Sequence, residues 1–159
     1  MLYPAKFGNN PFFPSTTDFR IVHFDDDSGS GVVTYRAYMP GELIAVFNGD
    51  LVTEITQHSL QVEPGLHLVD LFFVGYFLHS CEPNVVVDMQ TRQVHAVAPI
   101  YPLDFLRMDY ASTEEALFSQ FPCHCGSKQC RRWITGRQET PHEQDPRYLA
   151  AFGPLETVQ

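Results

Sequence analysis

The sequence predicts a single β-rich α+β domain. Three observations carry that expectation: short segments rich in β-branched and aromatic residues recur along the chain, Gly, Pro, Asn or Asp separate them, and only two stretches have helix-start signals.

"FRIVHF" (19–24) and "GVVTYRAY" (31–38) read as strands on either side of "DDDSGSG" (25–31). That stretch is expected to be a loop, its acids solvated and its glycines free to take positive φ. "LIAVFNGDLV" (43–52) reads as the next strand. "LHLVDLFFVGYFL" (66–78) is the most apolar segment, but Asp70 and Gly75 interrupt it, so it reads as buried core. "NVVVDM" (84–89) and "QVHAVAPIY" (93–101) complete the strands. "STEEALFSQF" (112–121) is expected to be helical, with Ser112 or Thr113 as cap and Glu114 and Glu115 in the first turn, where the helix dipole favours acids. A polar connector, "GRQETPHEQ" (136–144), leads to a terminal helix in "DPRYLAAF" (145–152), with Asp145 as cap and Pro146 at the first helical position. There is no internal repeat and no long linker.

Composition narrows the function. At 159 residues the chain can bury a core without disulfides, and 44% hydrophobic with 18% charged residues describes a globular protein. A net charge of -9 argues against binding nucleic acid and favours a basic partner, although it also serves plain solubility. The opening "MLYPAKFGNN" lacks a basic run followed by an apolar core, and no stretch approaches the roughly 20 apolar residues of a membrane span. An intracellular location, cytoplasmic or nuclear, and no membrane partner are expected.

The four cysteines, Cys81, Cys123, Cys125 and Cys130, carry the most specific signal. Three lie in "CHCGSKQC", a spacing that wraps thiolates around one ion, whereas a C-x-C disulfide would be strained. Zinc needs a fourth ligand. Cys81 is the remaining cysteine, with His124 as the substitute and a disulfide framework as the broader alternative. Lys128, Arg131 and Arg132 beside the cluster read as cations drawn to thiolates rather than a nucleic-acid patch. Asp88, Asp104 and Asp109 read as structural, Asp109 bonding backbone near Tyr110.

Four blocks in order, "GSGVVTYRAYMPGELI", "HSCEPN", "DFLRMDY" and "CHCGSKQCRRWITG", resemble the compact SET-domain protein-lysine methyltransferases with a post-SET zinc motif; the likeness spans residues 19 to 136. It implies a SET-domain β-fold with pseudoknot-like threading and a C-terminal zinc-binding post-SET segment. It divides the chain into an N-terminal extension (1–18), a SET domain (19–120), the post-SET zinc segment (121–136) and a tail with a short helix (137–159). The cofactor it implies is S-adenosylmethionine, with a structural zinc ion on Cys81, Cys123, Cys125 and Cys130. In-line methyl transfer requires a neutral amine aligned with the sulfonium methyl. The resemblance puts Gly29, Ser30 and Gly31 against the methionine end of the cofactor, His79 under the adenine and Trp133 stacked on it from the zinc-bound tail. Tyr110 is the implied catalytic hydroxyl, and the implied partner is a basic lysine-containing protein or peptide.

Two positions depart from the motif. Leu78 stands where the family has Asn, whose amide helps hold the methionine end, and Gly75, three residues before it, stands where the family often has Arg or a polar residue. Losing one such bond costs roughly 0.5–1.5 kcal/mol, which weakens cofactor binding without abolishing it. An active protein-lysine methyltransferase is therefore the leading expectation. A diverged SET fold acting as a binding module, or catalysing a small-molecule reaction in the former channel, is the alternative.

Overall fold

The computed structural model describes residues 1–26 and 29–152. Asp27 and Ser28 of the expected acidic loop, and the expected tail after residue 152, lie outside the described residues. The strands are β1 (Phe19–His23), β2 (Ser30–Thr34), β3 (Leu43–Val46), β4 (Asp50–Val52), β5 (Ser59–Glu63), β6 (Leu66–Val69), β7 (Leu78–His79), β8 (Val85–Asp88), β9 (Gln93–Ala96), β10 (Arg107–Met108), β11 (Phe121–Pro122) and β12 (Trp133–Ile134). The helix α1 spans Pro146–Phe152. No helix among the described residues is long and apolar enough to cross a membrane.

These strands form small sheets rather than one large one. β1 and β2 make an antiparallel hairpin across the acidic loop. A three-stranded sheet has the order β3-β9-β8 and another the order β4-β6-β5. β7 runs parallel to β10, and β11 antiparallel to β12. Phe47, Leu68, Phe73, Phe77, Ile100 and Leu106 fill the space between the sheets. Tyr3 packs into the same core, so the N-terminal residues are part of it.

Several expected elements are redrawn by close contacts. The single strand expected over 43–52 breaks between Val46 and Asp50, and Gly49 in the break passes so close to β6 that a Cβ there would lie 2.3 Å from the carbonyl oxygen of Val69. The expected strand 93–101 ends at Ala96, and Ile100 instead forms an isolated bridge with Tyr38. The β5–β6 hairpin was not expected, although Gly65, with φ of 79°, closes it in the Pro64-Gly65 turn. The helix expected over 112–121 does not form. Asp109 instead caps a 3-10 turn over Tyr110–Ser112, and Glu114 and Glu115 bond to Gln61. Glu114 accepts the Gln61 backbone N–H at 2.8 Å, while Glu115 and Gln61 exchange two further bonds at 2.8 and 2.9 Å. These long-range bonds outcompete a helical turn. α1 does begin at Pro146, with Asp145 accepting the Arg147 N–H at 2.9 Å.

Asp70, which interrupts the apolar run, is fully buried. It accepts the backbone N–H groups of Phe72, Phe73 and Val74 at 2.8–3.0 Å and the Tyr3 hydroxyl at 2.5 Å. The carboxylate thus fixes the 3-10 turn Val74–Tyr76 that leads into β7. Asp70→Ala strands four donors and is expected to cost about 2–4 kcal/mol in urea unfolding. A loss below about 1 kcal/mol would show that these donors find other partners.

Candidate active site

The "HSCEPN" and "DFLRMDY" segments are stitched together by Asn84. Its Nδ2 donates to the Phe105 carbonyl at 2.8 Å, its Oδ1 accepts the Arg107 N–H at 2.8 Å, and its backbone N–H donates to the Arg107 carbonyl at 3.0 Å. Beside this junction, Leu78 donates to Leu106 and Ser80 to Met108 as β7 runs along β10. Alternation along a strand turns the N–H and C=O of His79 to the opposite, open edge.

A cleft of about 920 Å³ runs from Gly29 and Ser30 past Leu78 and His79 to Tyr110 and Phe121. Gly29, with φ of 123°, occupies a conformation that side chains disfavour. Gly31 does not line the cleft; a Cβ there would lie 2.8 Å from the Phe105 ring and 3.2 Å from Leu78 Cδ1, so Gly31 makes room for both. Leu78 is half-buried and lines the cleft rather than closing it.

Tyr110 reaches the cleft from the turn that Asp109 caps. Its hydroxyl donates to the Phe77 carbonyl at 2.5 Å, and burial holds the phenol above its ordinary pKa. The Tyr110 N–H donates to His79 Nδ1 at 3.1 Å, so the imidazole proton lies on Nε2, 3.5 Å from Cys81 Sγ. Burial lowers the His79 pKa to about 4 despite Asp109 nearby, which keeps the ring neutral. The His79 ring also packs edge-on against Tyr110 and Phe121, with centroids 5.1 and 5.7 Å away.

The four cysteines converge. The sulfurs of Cys81, Cys123, Cys125 and Cys130 all lie within 4.8 Å of one another, and all are free thiols. Such a set fits one tetrahedral zinc ion. Cys81 comes from the body of the domain and the other three from the "CHCGSKQC" loop, so the metal would tie the two together. His124 is exposed and outside the group. Burial raises Cys81 and Cys123; it acts on Cys125 too, but the Ser127 N–H and neighbouring thiols bring that one down to about 6. The Arg131 N–H donates to Cys81 Sγ at 3.4 Å, and its guanidinium holds Asp109 bidentately at 2.7 and 3.0 Å. The cation beside the thiols therefore braces the turn that carries Tyr110.

Trp133 departs from its expected place. It does not line the cleft: it is buried under α1, its Nε1 donates to Gln120 Oε1 at 2.8 Å, and its ring meets Tyr148 edge-on. The indole N–H needs a buried acceptor, and Gln120 supplies one away from the cleft. Phe121, which pairs with Ile134 and so projects to the opposite face of the β11–β12 pair from Trp133, lines the cleft instead.

No protein-family model matches the chain. Crystal structures of KRYPTONITE superpose on it. One, in complex with mCHG DNA and SAH, gives a TM-score of 0.57 at 21% identity over 72% of this chain and 29% of that one. A second, in complex with mCHH DNA, H3(1-15) peptide and SAH, gives 0.56 at 19% identity. The chain adopts the SET-domain fold. In sequence this SET domain is 36% identical over 86 residues to Methyltransferase flvH of Aspergillus flavus, covering 53% of this chain and 48% of that one. It is 37% identical over 65 residues to Histone-lysine N-methyltransferase trr of Drosophila melanogaster, covering 37% of this chain and 3% of that protein. The SET domain thus spans about half the length of the fungal relative and a small part of the fly one. The expected motif blocks meet around one cleft; Asn84, Phe121 and Arg107, which also line or brace it, were not singled out from sequence.

Proposed function

We propose that this SET domain transfers a methyl group from S-adenosylmethionine to the side-chain amine of a lysine in a protein or peptide. The observation that carries the reading is the Tyr110 hydroxyl, held at the Phe77 carbonyl where the motif segments meet in the cleft. Because that hydroxyl spends its proton on Phe77, its oxygen lone pairs are left to accept from an amine. A phenol held above its ordinary pKa stays neutral and so adds no negative charge that would favour the amine's protonated form. The neutral amine that displacement requires can therefore be oriented without being trapped as an ammonium.

The cleft fits the cofactor. Gly29 and Ser30 offer backbone at one end, the open edge of His79 offers a donor and an acceptor to a base, and Phe121 gives an apolar wall. When bound, S-adenosylmethionine supplies an electrophilic methyl on a sulfonium. Zinc on the four cysteines would hold the Phe121 wall against the body of the domain. In support of a lysine substrate, the fly relative is named a histone-lysine N-methyltransferase, and one KRYPTONITE structure holds an H3(1-15) peptide. A net charge of -9 suits a basic peptide, and a histone substrate would place the protein in the nucleus. A distinct post-SET segment is supported by Cys123, Cys125 and Cys130 clustering with Phe121 and Ile134 apart from the main core, with Cys81 and Leu117 joining them from the body of the domain.

Calorimetry with S-adenosylmethionine and its demethylated product S-adenosylhomocysteine, followed by methyl transfer to lysine peptides, tests the proposal; no binding of either ligand would overturn it. Leu78→Asn is expected to tighten binding by about 0.5–1.5 kcal/mol with little change in melting, since Leu78 faces the cleft and an amide there has ligand or solvent to bond. Lower melting without tighter binding would place Leu78 in the core instead.

A further inference from the structure

Arg107 is half-buried and lines the cleft. The one hydrogen-bond acceptor of its guanidinium among the described residues is the Phe105 carbonyl, at a long 3.4 Å, and the group lies over the Phe105 ring at 5.5 Å. No acid among the described residues forms an ion pair with it, although five other arginine or lysine side chains here have such a partner. A partly desolvated cation without an anion is costly unless a ligand supplies one.

Its position says which ligand group that would be. Arg107 is the direct partner of Leu78 across the parallel β7–β10 pair. Paired residues in such a ladder project to the same face, so the guanidinium emerges beside the side chain that stands where an amide is expected. Gly29 and Ser30 line the same cleft, and Gly31 leaves the room into which Leu78 and Phe105 pack. On the reading of this cleft as an S-adenosylmethionine site, that is the end that holds the methionine part, whose α-carboxylate is the group a planar guanidinium binds bidentately.

We propose that Arg107 anchors the α-carboxylate of the cofactor, and that this ion pair replaces the amide missing at Leu78. The inference rests on the proposed function, and it changes what Leu78 means: the methionine end is held by a side chain reaching in from the neighbouring strand, not by backbone alone.

The test is calorimetric titration of the zinc-loaded protein with S-adenosylhomocysteine and with its decarboxylated analogue, for the native protein, Arg107→Met and Arg107→Lys. Arg107→Met keeps an unbranched stem over Phe105, and Arg107→Lys keeps the charge without the fork. The native protein is expected to prefer the carboxylated ligand roughly ten- to a hundredfold. Arg107→Met should bind both ligands about equally at unchanged melting temperature, and Arg107→Lys should recover part of the preference. The ligand-side comparison needs only the native protein, so it stands even where a variant fails to fold. Equal binding of the two ligands by the native protein, or an undiminished preference in Arg107→Met, overturns the role of Arg107 while leaving the cofactor site intact. Absence of binding by the native protein to either ligand overturns the cofactor reading itself, and Arg107 with it.

Discussion

Stripping zinc with a chelator is expected to release residues 121–136 from the body of the domain while the main core stays folded. The cysteines belong to a small cluster with Ile134, Leu117 and Phe121, whereas the main core, built around Phe47, Phe73 and Phe77, contains none of them. Without the metal, the β11–β12 pair is only two residues long on each side, and the segment's other ties to residues outside it include the Arg131–Asp109 pair and the Trp133–Gln120 bond. Structural zinc contributes on the order of 10–16 kcal/mol in small peptides. Trp133, the only tryptophan, reports the change because it is buried within the same segment. Its emission should shift to the red on chelation and return on adding zinc, and cofactor binding should be lost because Phe121 leaves the cleft wall. Cys81→Ser, which removes the ligand contributed by the body, should reproduce both effects. Protein purified without chelator that contains no metal and has its thiols paired as disulfides would overturn the site.

The motif blocks were legible because their chemistry is local. Three cysteines in eight residues and a Gly-rich loop each state a requirement within a few positions. What the sequence hid depends on partners far along the chain. Glu114 and Glu115 look like a first helical turn until Gln61, more than fifty residues away, takes their carboxylates. The rings at 121 and 133 could each have faced the cofactor; the β11–β12 register and the Gln120 acceptor send one to the cleft and the other under α1. Asp70 looked like a break in an apolar run, and is instead the cap that organises it. Arg107 was one unremarked letter of "DFLRMDY", since only the pairing of β10 with β7 shows that it stands beside Leu78.

Tyr110→Phe is expected to leave the fold nearly intact and lower turnover roughly 10²–10³-fold, the usual effect of removing one preorganised polar group from a buried site. The ring contacts with His79 and Phe121 survive the change, and so does the backbone bond to His79 Nδ1. Only the bond to the Phe77 carbonyl is lost, which costs stability about 0.5–1.5 kcal/mol, rising toward 3 if no water replaces it. Because Tyr110 is assigned to the amine rather than to the cofactor, the affinity for S-adenosylhomocysteine should hold while kcat falls. A loss made only in the transition state lowers kcat and kcat/KM together. If instead kcat holds and KM for the lysine peptide rises, Tyr110 shapes the channel without taking part in transfer. Equal turnover by the two proteins would remove Tyr110 from both roles and leave the Phe77 bond as simple packing of the cleft wall.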